Sequence, residues 1–271
     1  MSAMKTILSL SSQSVAGTVG NSVTTFVLQS LGHRVWSIPT SLNSNHGGHP
    51  DALRQPVAEA TVEGLIGNLE ANGWLAACDA VFTGHFSSVG QIIIAETWIS
   101  RLKARQPDLI YCCDPIIGDD PAGLYVAEEI ALAIRDRLLP LADIASPNRF
   151  ELEYLSGNPC TSHDSVANAS KLLNVASVLA TSIPLDGDLM TLCCARSKAF
   201  SRTTARLSHV PKGTGDLLIA LYLGHRLNGL DERRCLDLAV DATFEICRQS
   251  AAAGTDELML IENRNLLIPA P

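Results

Sequence analysis

The stretch TILSLSSQSVAGTVGNSVTTFVLQSLG, residues 6–32, decides how the chain is expected to fold. Its first seven residues, 6–12, form a short apolar run that predicts a buried strand. Gly17 and Gly20 mark a turn, and Asn21 suits the N-cap of a helix. The apolar residues that follow recur on one helical face until a glycine ends the pattern: Val23, Val27, Leu31 and Gly32.

The same alternation of strands and helices continues along the chain. The further predicted strands are residues 34–41, 80–86, 108–113, a short segment before 146, 177–183, 189–195 and 199–207. The further predicted helices are residues 57–72, a segment that contains Ile92, Ala95, Ile99 and Leu102, one between 123 and the short strand, one that ends near 157, 215–228 and 232–253. Alternation of this kind predicts the α/β class. We predict one domain, residues 1–271, with three layers: a mostly parallel central sheet and helices on both faces. The last three strands follow one another directly, which is compatible with one antiparallel edge.

Composition and charge exclude several classes of protein. Of the 271 residues, 46% are hydrophobic and 18% are charged, so the chain has the material for a large core and is not intrinsically disordered. The net charge of −8 argues against a nucleic-acid partner, which would need a concentrated positive surface. None of the eight cysteines is spaced as C-x-x-C, no apolar run reaches membrane-span length, and the apolar part of the N-terminus is too short for a signal peptide. These features predict a cytoplasmic protein with free thiols and no membrane partner.

The carboxyl ends of the predicted strands are where a ligand is expected in such a sheet. The strongest candidate is KGTGD, residues 212–216, which opens a buried helix. Its two glycines let backbone N–H groups approach a ligand, and a helix N-terminus favours an anion. An ordinary helix cap explains the residues equally well, because Asp is a favoured N-cap.

Two further polar segments follow predicted strands. DPIIGDD, residues 114–120, carries three carboxylates that could hold a hydrated Mg²⁺, although a solvated turn is the simpler explanation. Asn148 and Glu151 are spaced as a capping box, and that role explains them without a metal or a phosphate.

His46 and His49 lack a third ligand at a zinc-site spacing, so we predict a polar, ligand-lining loop there. His85 is a lone histidine at a strand end, which is more often structural than catalytic.

Taken together, these segments resemble the pyridoxal kinases of the ribokinase-like superfamily. The resemblance covers nearly the whole chain and rests on ILSLSSQSVAGTVGNS (7–22), SNHGG (44–48), CDPIIGD (113–119), LPLADIASPNRFELEYLSG (139–157), SVLATSIP (177–184) and KGTGDLLIALYL (212–223). The GTGD box alone indicates only the superfamily. The opening segment together with SNH and the run around PLADI is more specific.

The resemblance implies a three-layer ribokinase-like fold and phosphoryl transfer from ATP, with Mg²⁺, to the 5′-hydroxymethyl group of pyridoxal. It implies that Asp216 faces the substrate hydroxyl as the base, and that Gly213, Thr214 and Gly215 form an anion hole. The other implied positions are Ser12, Gly47 and His85 with Asp216 for the vitamer; Asp114, Asn148, Glu151, Thr181, Ser182, Lys212, Gly213 and Thr214 for the nucleotide and its phosphates; Asp119 and Glu151 for the metal; and Gly118, Asp120, Gly123 and Tyr125 in a lid over ATP. Members are typically homodimers, and some are activated by K⁺.

The chain departs from the family pattern at the vitamer end. His85 stands where many members have Tyr, and Gly47 where members often have Thr. These departures leave the preference among pyridoxal, pyridoxine and pyridoxamine open. The alternatives are a hydroxymethylpyrimidine kinase, a non-catalytic vitamin-binding relative and, with less support, a sugar kinase.

The pKa of Asp216 bears on how it would act. We expect the helix N-terminus to lower this pKa, which would make the carboxylate a weak base. Asp216 would then mainly orient the hydroxyl and accept its proton late in a dissociative transfer.

Overall fold

The computed structural model describes residues 3–49, 51–195 and 198–268. The strands are β1 Thr6–Ser14, β2 Arg34–Asn43, β3 Arg54–Pro56, β4 Ala80–Thr83, β5 Ile110–Cys113, β6 Gly118–Asp119, β7 Gly123–Leu124, β8 Ile144–Ala145, β9 Ser177–Leu185, β10 Asp188–Ala195 and β11 Lys198–Thr204. The α-helices are α1 Asn21–Ser30, α2 Glu59–Ala71, α3 Val89–Arg105, α4 Glu128–Ala133, α5 Arg149–Ser156, α6 His163–Leu172, α7 Thr214–Leu227 and α8 Glu232–Ala252. The predicted domain ends, residues 1 and 271, lie outside the described residues.

Within the described residues, one sheet of nine strands has the order β11-β10-β9-β8-β5-β4-β1-β2-β3, and β6 pairs only with β7. The six strands from β9 to β2 in this order pair in parallel. β10 and β11 extend one edge in antiparallel fashion, and β3 does the same at the other edge. The mostly parallel sheet and the antiparallel edge are therefore confirmed, while the antiparallel strand at the second edge was not predicted.

The sheet has a hydrophobic core on each face because successive strand side chains point to opposite sides. In β1, Leu8 and Leu10 belong to the core that also contains residues of α2 and α3, such as Ile66. Ile7, which precedes Leu8 and points to the opposite face, belongs to the other core with Val27 of α1 and residues of α7 and α8. The three-layer prediction is confirmed. The cysteine pairs follow the same alternation: Cys112 lies in the second core and Cys113 in the first.

Some predicted details differ from the structure. Asn21 is the first helical residue, and Gly20 is the N-cap. The Asn21 amide donates to the carbonyl oxygens of Ser11 and Ile38, and its oxygen accepts from Ser9 Oγ at 2.7 Å. The N-cap prediction is therefore wrong, because the Asn21 side chain ties α1 to the sheet instead. Strand β4 ends at Thr83, three residues before the predicted end.

The parallel strands place their carboxyl ends at one edge of the sheet, so the segments that follow β1, β2, β4, β5, β8 and β9 converge there. The N-terminus of α7 lies against the segment after β1, because Gly20 N donates to Asp216. No helix in the described part of the chain has both the length and the apolar character that crossing a bilayer requires.

Candidate active site

The N-terminus of α7 presents its backbone amides to an open space. Gly213, the N-cap, has φ 88°, a conformation that favours glycine, and a Cβ there would collide with the Thr18 carbonyl oxygen. Gly215 has no atom within 4 Å of the place its Cβ would take. Thr214 Oγ1 donates to the Pro211 carbonyl at 2.9 Å, which fixes the turn. Free amides at the positive end of a helix suit a phosphate group.

Asp216 does not cap this helix. It is the third residue of α7, it is 9% exposed, and its side chain makes no capping hydrogen bond. Its Oδ2 accepts the Gly20 N–H at 2.9 Å, while its Oδ1 is buried without a hydrogen-bond partner. The capping alternative is therefore wrong. A buried carboxylate oxygen that lacks a partner beside an anion site is suited to receive a substrate hydroxyl.

Burial raises the pKa of Asp216 from 3.8 to about 6, and the Gly20 N–H only partly opposes this rise. The expectation of a lowered pKa is therefore wrong, because desolvation of the charged form outweighs the stabilising donors. The consequence is favourable for catalysis, since a carboxylate with a pKa near the working pH is a better base.

Ser12 lies beside the same turn. A Cβ on Gly20, which has φ 57°, would come within 2.5 Å of Ser12 Oγ. Ser12 is 8% exposed, so its hydroxyl faces the turn and not bulk water. The structure thus brings Ser12 and Asp216 together around the Gly20 N–H.

Two more buried carboxyl groups lie across the site, after β5 and at the start of α5. Glu151 Oε1 accepts N–H groups from Ile117 at 2.8 Å and Gly118 at 3.4 Å, and Glu151 Oε2 accepts the Asn148 N–H at 2.9 Å. The Asn148 side chain accepts from Glu151 N, which confirms the capping box. This helix start therefore has a second purpose, since it holds a buried carboxylate beneath the loop that follows β5.

The charges of these carboxyl groups disfavour one another. Burial, the charge of Glu151 and the charge of Asp216 raise the pKa of Asp114 well above its usual range. Burial also raises the pKa of Glu151 to about 7, although three backbone N–H groups oppose it. Asp119, in β6, has its Oδ1 occupied by the Asp120 N–H at 2.8 Å. Asp114 and Glu151 are oxygen donors whose charges are buried together, and a divalent cation such as Mg²⁺ would relieve their repulsion, whereas Asp119 is only half-buried.

A short hairpin, β6 and β7, covers the carboxyl groups. Asn148 Nδ2 donates to the Gly118 carbonyl at 2.7 Å, and Arg149 Nε donates to Asp120 Oδ2 at 2.8 Å. Gly123 begins β7, and Tyr125, which follows that strand, is 51% exposed. The predicted lid residues are thus one element, and α5 anchors it.

The loop after β9 completes this side of the site. Thr181 forms a parallel bridge with Asn148, and Thr181 N donates to the Pro147 carbonyl at 3.0 Å. Ser182 is exposed with φ 57°. The structure therefore brings Thr181 close to Asn148 and the lid, and it leaves the Ser182 side chain accessible. Lys212, before the α7 turn, is also exposed.

The segments after β2 and β4 bound the opposite side. His85 N lies 3.3 Å from Ser11 Oγ, and His85 Nδ1 is buried without a partner. Burial and the charge of Arg54 lower the pKa of His85 to about 4, so the ring is neutral. A side chain on Gly47 would collide with the Arg54 guanidinium, so Arg54 fills the space that a larger residue at 47 would take. Arg54 belongs to none of the motifs in the sequence.

The loop after β2 also meets the C-terminal segment. His46 Nε2 lies 3.3 Å and His49 Nε2 3.7 Å from Glu257 Oε1. The ligand atoms of these three residues lie within 4.8 Å of one another, a spacing that could hold a metal ion. The sequence shows no partner for the two histidines because Glu257 lies about 200 residues further along the chain.

Comparison with known proteins gives the family. The family model described as phosphomethylpyrimidine kinase matches residues 59–257. Pyridoxal kinase PdxY of Rubrobacter xylanophilus is 32% identical over 275 residues, which cover 98% of this chain and 94% of that protein. The chain belongs to this family of kinases.

Solved structures agree with the sequence relationship. The crystal structure of pyridoxal kinase from Entamoeba histolytica superposes on this kinase with a TM-score of 0.92 at 25% identity, covering 98% of this chain and 96% of that one. Pyridoxal kinase from Leishmania donovani, in complex with ADP and pyridoxamine, gives a TM-score of 0.91 at 26% identity, covering 97% and 95%. The resemblance noted from the sequence motifs is therefore confirmed.

Most of the site residues that the resemblance implied lie at the expected edge of this kinase. Glu151 and Asn148 bond to Gly118 of the β6–β7 hairpin and Thr181 pairs with Asn148, whereas Ser12 in β1 and His85 after β4 lie toward the other edge of the sheet. Two residues near the site were missed, Arg54 and Glu257, because each reaches it through a contact that no local motif records.

Proposed function

We propose that this kinase transfers the γ-phosphoryl group of ATP to the 5′-hydroxymethyl group of pyridoxal, giving pyridoxal 5′-phosphate. The observation that carries the proposal is Asp216, a buried carboxylate with a free Oδ1 at the open N-terminus of α7. The named relatives are pyridoxal kinases, and one of the similar structures contains ADP and pyridoxamine.

Asp216 orients the hydroxyl and accepts its proton. Its raised pKa of about 6 leaves it mostly ionised near pH 7 and closer to the basicity that proton transfer requires. The Gly20 N–H holds one carboxylate oxygen and so directs the other toward the acceptor. Because phosphoryl transfer is largely dissociative, the proton need leave only late.

The amides of Gly213, Thr214 and Gly215 stabilise the charge on the group in transfer. They point from the N-terminus of a helix of 14 residues, and the open space at Gly215 admits the phosphate. Preorganised donors of this kind cost no rearrangement when the charge develops. Lys212, which is exposed beside the turn, adds a positive charge for the nucleotide phosphates.

Asp114, Asp119 and Glu151 are the residues that would hold Mg²⁺ with the nucleotide. The ion would supply charge neutralisation to the phosphates, as carboxylate-bound Mg²⁺ does in phosphoryl transfer. Both Glu151 oxygens already accept N–H groups, so this side chain suits contact through water. Asn148, Thr181 and Ser182 are assigned to the phosphates, and the Gly118–Tyr125 lid, held through Asp120, excludes water.

Ser12, Gly47 and His85 are assigned to the vitamer. Ser12 lies near the end of β1, Gly47 follows β2 and His85 follows β4, and these three strands are neighbours in the sheet. Arg54 replaces the side chain missing at Gly47 and adds a positive charge near the neutral His85 ring. We expect this corner to disfavour the cationic aminomethyl group of pyridoxamine relative to the aldehyde of pyridoxal.

Turnover of four acceptors tests the proposal. Purified protein with MgATP is supplied separately with pyridoxal, pyridoxine, pyridoxamine and hydroxymethylpyrimidine, and the phosphorylated product is measured by mass spectrometry. Phosphorylation of pyridoxal at the highest kcat/KM is expected. A higher value for hydroxymethylpyrimidine would favour the second candidate, which the description of the matching family model supports. No turnover on any acceptor would favour a non-catalytic vitamin-binding protein.

Four further features are proposed from the family resemblance and the sequence. They are a single kinase domain over residues 1–271, a homodimer, activation by K⁺ and a cytoplasmic location. The free cysteines of the described residues support a reducing compartment. Sedimentation of the purified protein and kinetics in K⁺ against Na⁺ test the assembly and the cation.

A further inference from the structure

The Gly17–Gly20 turn carries the N–H that holds Asp216. Its Gly20 end is tied to the start of α1, because the Gly20 carbonyl accepts the N–H groups of Val23 and Thr24, and to β1 through a bridge with Gln13. Gly17 and Thr18 lie outside these backbone contacts. Gly20 N donates to Asp216 Oδ2, and the Thr18 carbonyl lies against Gly213. A turn with two glycines is flexible unless other groups restrain it. What restrains this turn therefore bears on the position of the carboxylate that faces the substrate.

Glu257 provides that restraint from the C-terminal segment. Its Oε2 accepts both the Thr18 N–H, at 2.6 Å, and the Thr18 hydroxyl, at 2.7 Å. The Leu258 N–H in turn donates to Thr18 Oγ1 at 2.8 Å. The carboxylate also packs against the turn itself, because a Cβ on Gly17 would lie 2.7 Å from Glu257 Oε1. Charge-assisted hydrogen bonds of this length are among the stronger ones in proteins.

The two histidines lie on the other side of Glu257 without a hydrogen bond to it within the described residues. His46 Nδ1 accepts the Gly48 N–H at 3.0 Å, so the proton of this neutral ring lies on Nε2, which is 3.3 Å from Glu257 Oε1. Burial lowers the pKa of His46, which keeps the ring neutral. A metal ion bound to Nε2 would need the proton on Nδ1, where it would face the Gly48 N–H. This tautomer of His46 does not suit a metal ion at Nε2, and the hydrogen bonds that Glu257 does make are those to Thr18.

We propose that Glu257 is a positioning residue for phosphoryl transfer: by binding Thr18 it fixes the Gly17–Gly20 turn and thereby the Gly20 N–H against Asp216. The same segment touches the anion hole, since Lys212 N donates to the Asp256 carbonyl at 3.4 Å and the Thr18 carbonyl contacts Gly213. This inference rests on the proposed function. The C-terminal segment would then fix the position of Asp216 relative to the turn at the start of α7.

The test compares three variants in the full chain. Glu257→Ala removes both bonds to Thr18, Glu257→Gln keeps an oxygen that can accept them, and Glu262→Ala removes an exposed carboxylate from the same segment. We expect Glu257→Ala to lower kcat for pyridoxal about 10- to 100-fold, the range for a misplaced catalytic group, with the KM for ATP within about twofold. Glu257→Gln should recover most of kcat, and Glu262→Ala should match the unaltered protein.

Hydrogen exchange provides the readout that a general loss of structure would not give. In Glu257→Ala, the amides of residues 16–20 should exchange faster while those of the β5 and β9 strands are unchanged. Unchanged kcat in Glu257→Ala would overturn the proposal, and so would a loss of kcat accompanied by faster exchange throughout the sheet. Zn²⁺ binding that Glu257→Ala abolishes without changing kcat would overturn it in favour of a metal site. If the unaltered protein phosphorylates none of the acceptors, the proposed function fails, whatever the amide hydrogen-exchange rates of the variants are.

Discussion

Replacing Asp216 with Asn tests both the role of this carboxylate as a base and the cost of burying its negative charge. Asn has nearly the same size, and its side-chain oxygen can still accept the Gly20 N–H that Oδ2 accepts at 2.9 Å. The substitution removes the negative charge and the ability to take up the hydroxyl proton. We expect kcat to fall by at least about 100-fold, the lower end of general-base contributions. The KM for ATP and that for pyridoxal should change little, because their main contacts lie elsewhere in the site.

The same substitution should stabilise the folded protein at alkaline pH. A rise in pKa from 3.8 to about 6 corresponds to about 3 kcal/mol of folding free energy when the group is ionised in both states. Because the folded state holds the proton more tightly, the cost of the carboxylate develops as the pH rises from about 4 through about 6. The gain from Asn should therefore be largest near pH 8 and small near pH 4. For a protein of this size, about 3 kcal/mol corresponds to roughly 5 °C in Tm.

Steady-state kinetics and melting curves on one preparation decide the outcome. A kcat close to that of the unaltered protein would show that Asp216 is not the catalytic carboxylate. A Tm at pH 8 that is lower than that of the unaltered protein would contradict the burial of an unfavourable charge.

Three further substitutions, one of them with a matched control, test other parts of the site. His85→Tyr should change the KM for the vitamer more than the KM for ATP, and an unchanged vitamer KM in substrate-varied kinetics would contradict its place in the pocket. Gly213→Ala should lower Tm by several degrees and abolish activity, because φ is 88° and a Cβ would collide with the Thr18 carbonyl oxygen. The control Gly215→Ala should leave Tm unchanged, because a Cβ there would lie in open space. Arg149→Ala should raise the KM for ATP, because it removes the ion pair with Asp120 that holds the lid. The free energy of unfolding should fall by less than about 1 kcal/mol, since this pair is partly exposed. An unchanged KM for ATP would argue against the lid assignment.

Local patterns explain why much of the fold could be predicted. The apolar spacing of Ile92, Ala95, Ile99 and Leu102 predicts one buried face, and all four are buried in α3. The capping box at Asn148 and Glu151 is a local device and is found as predicted. The start of α7 at Thr214, with Gly213 as its N-cap, follows from glycines beside a buried helix, which is also a local signal.

The missed elements are short or mostly polar. Helix α6 buries only Val166, Ala169 and Ser170, so its apolar signal is weak, although Ser162 and Ser165 form a capping box that indicates its start. Strands β3, β6 and β7 have two or three residues, too few for a periodic pattern.

The site was less predictable than the fold because it depends on contacts between distant residues. Glu257 reaches Thr18 across 239 residues, and the Arg54 guanidinium fills the space at Gly47 through the pairing of β3 with β2. The pKa of Asp216 was predicted in the wrong direction because the sequence shows the helix start but not the depth of burial. No sequence motif records the contacts of Glu257 and Arg54 or the burial of Asp216.

Phosphorus-31 NMR of the reaction of pyridoxal with MgATP tests the central claim most directly. The claim is that the site at Asp216 and the α7 turn transfers phosphate to the 5′-hydroxyl. We predict one phosphate ester at the 5′ position for each ADP formed, and no ester with an analogue that lacks the 5′-hydroxyl. ADP and inorganic phosphate without a vitamer ester, or an ester at another position, would contradict the account.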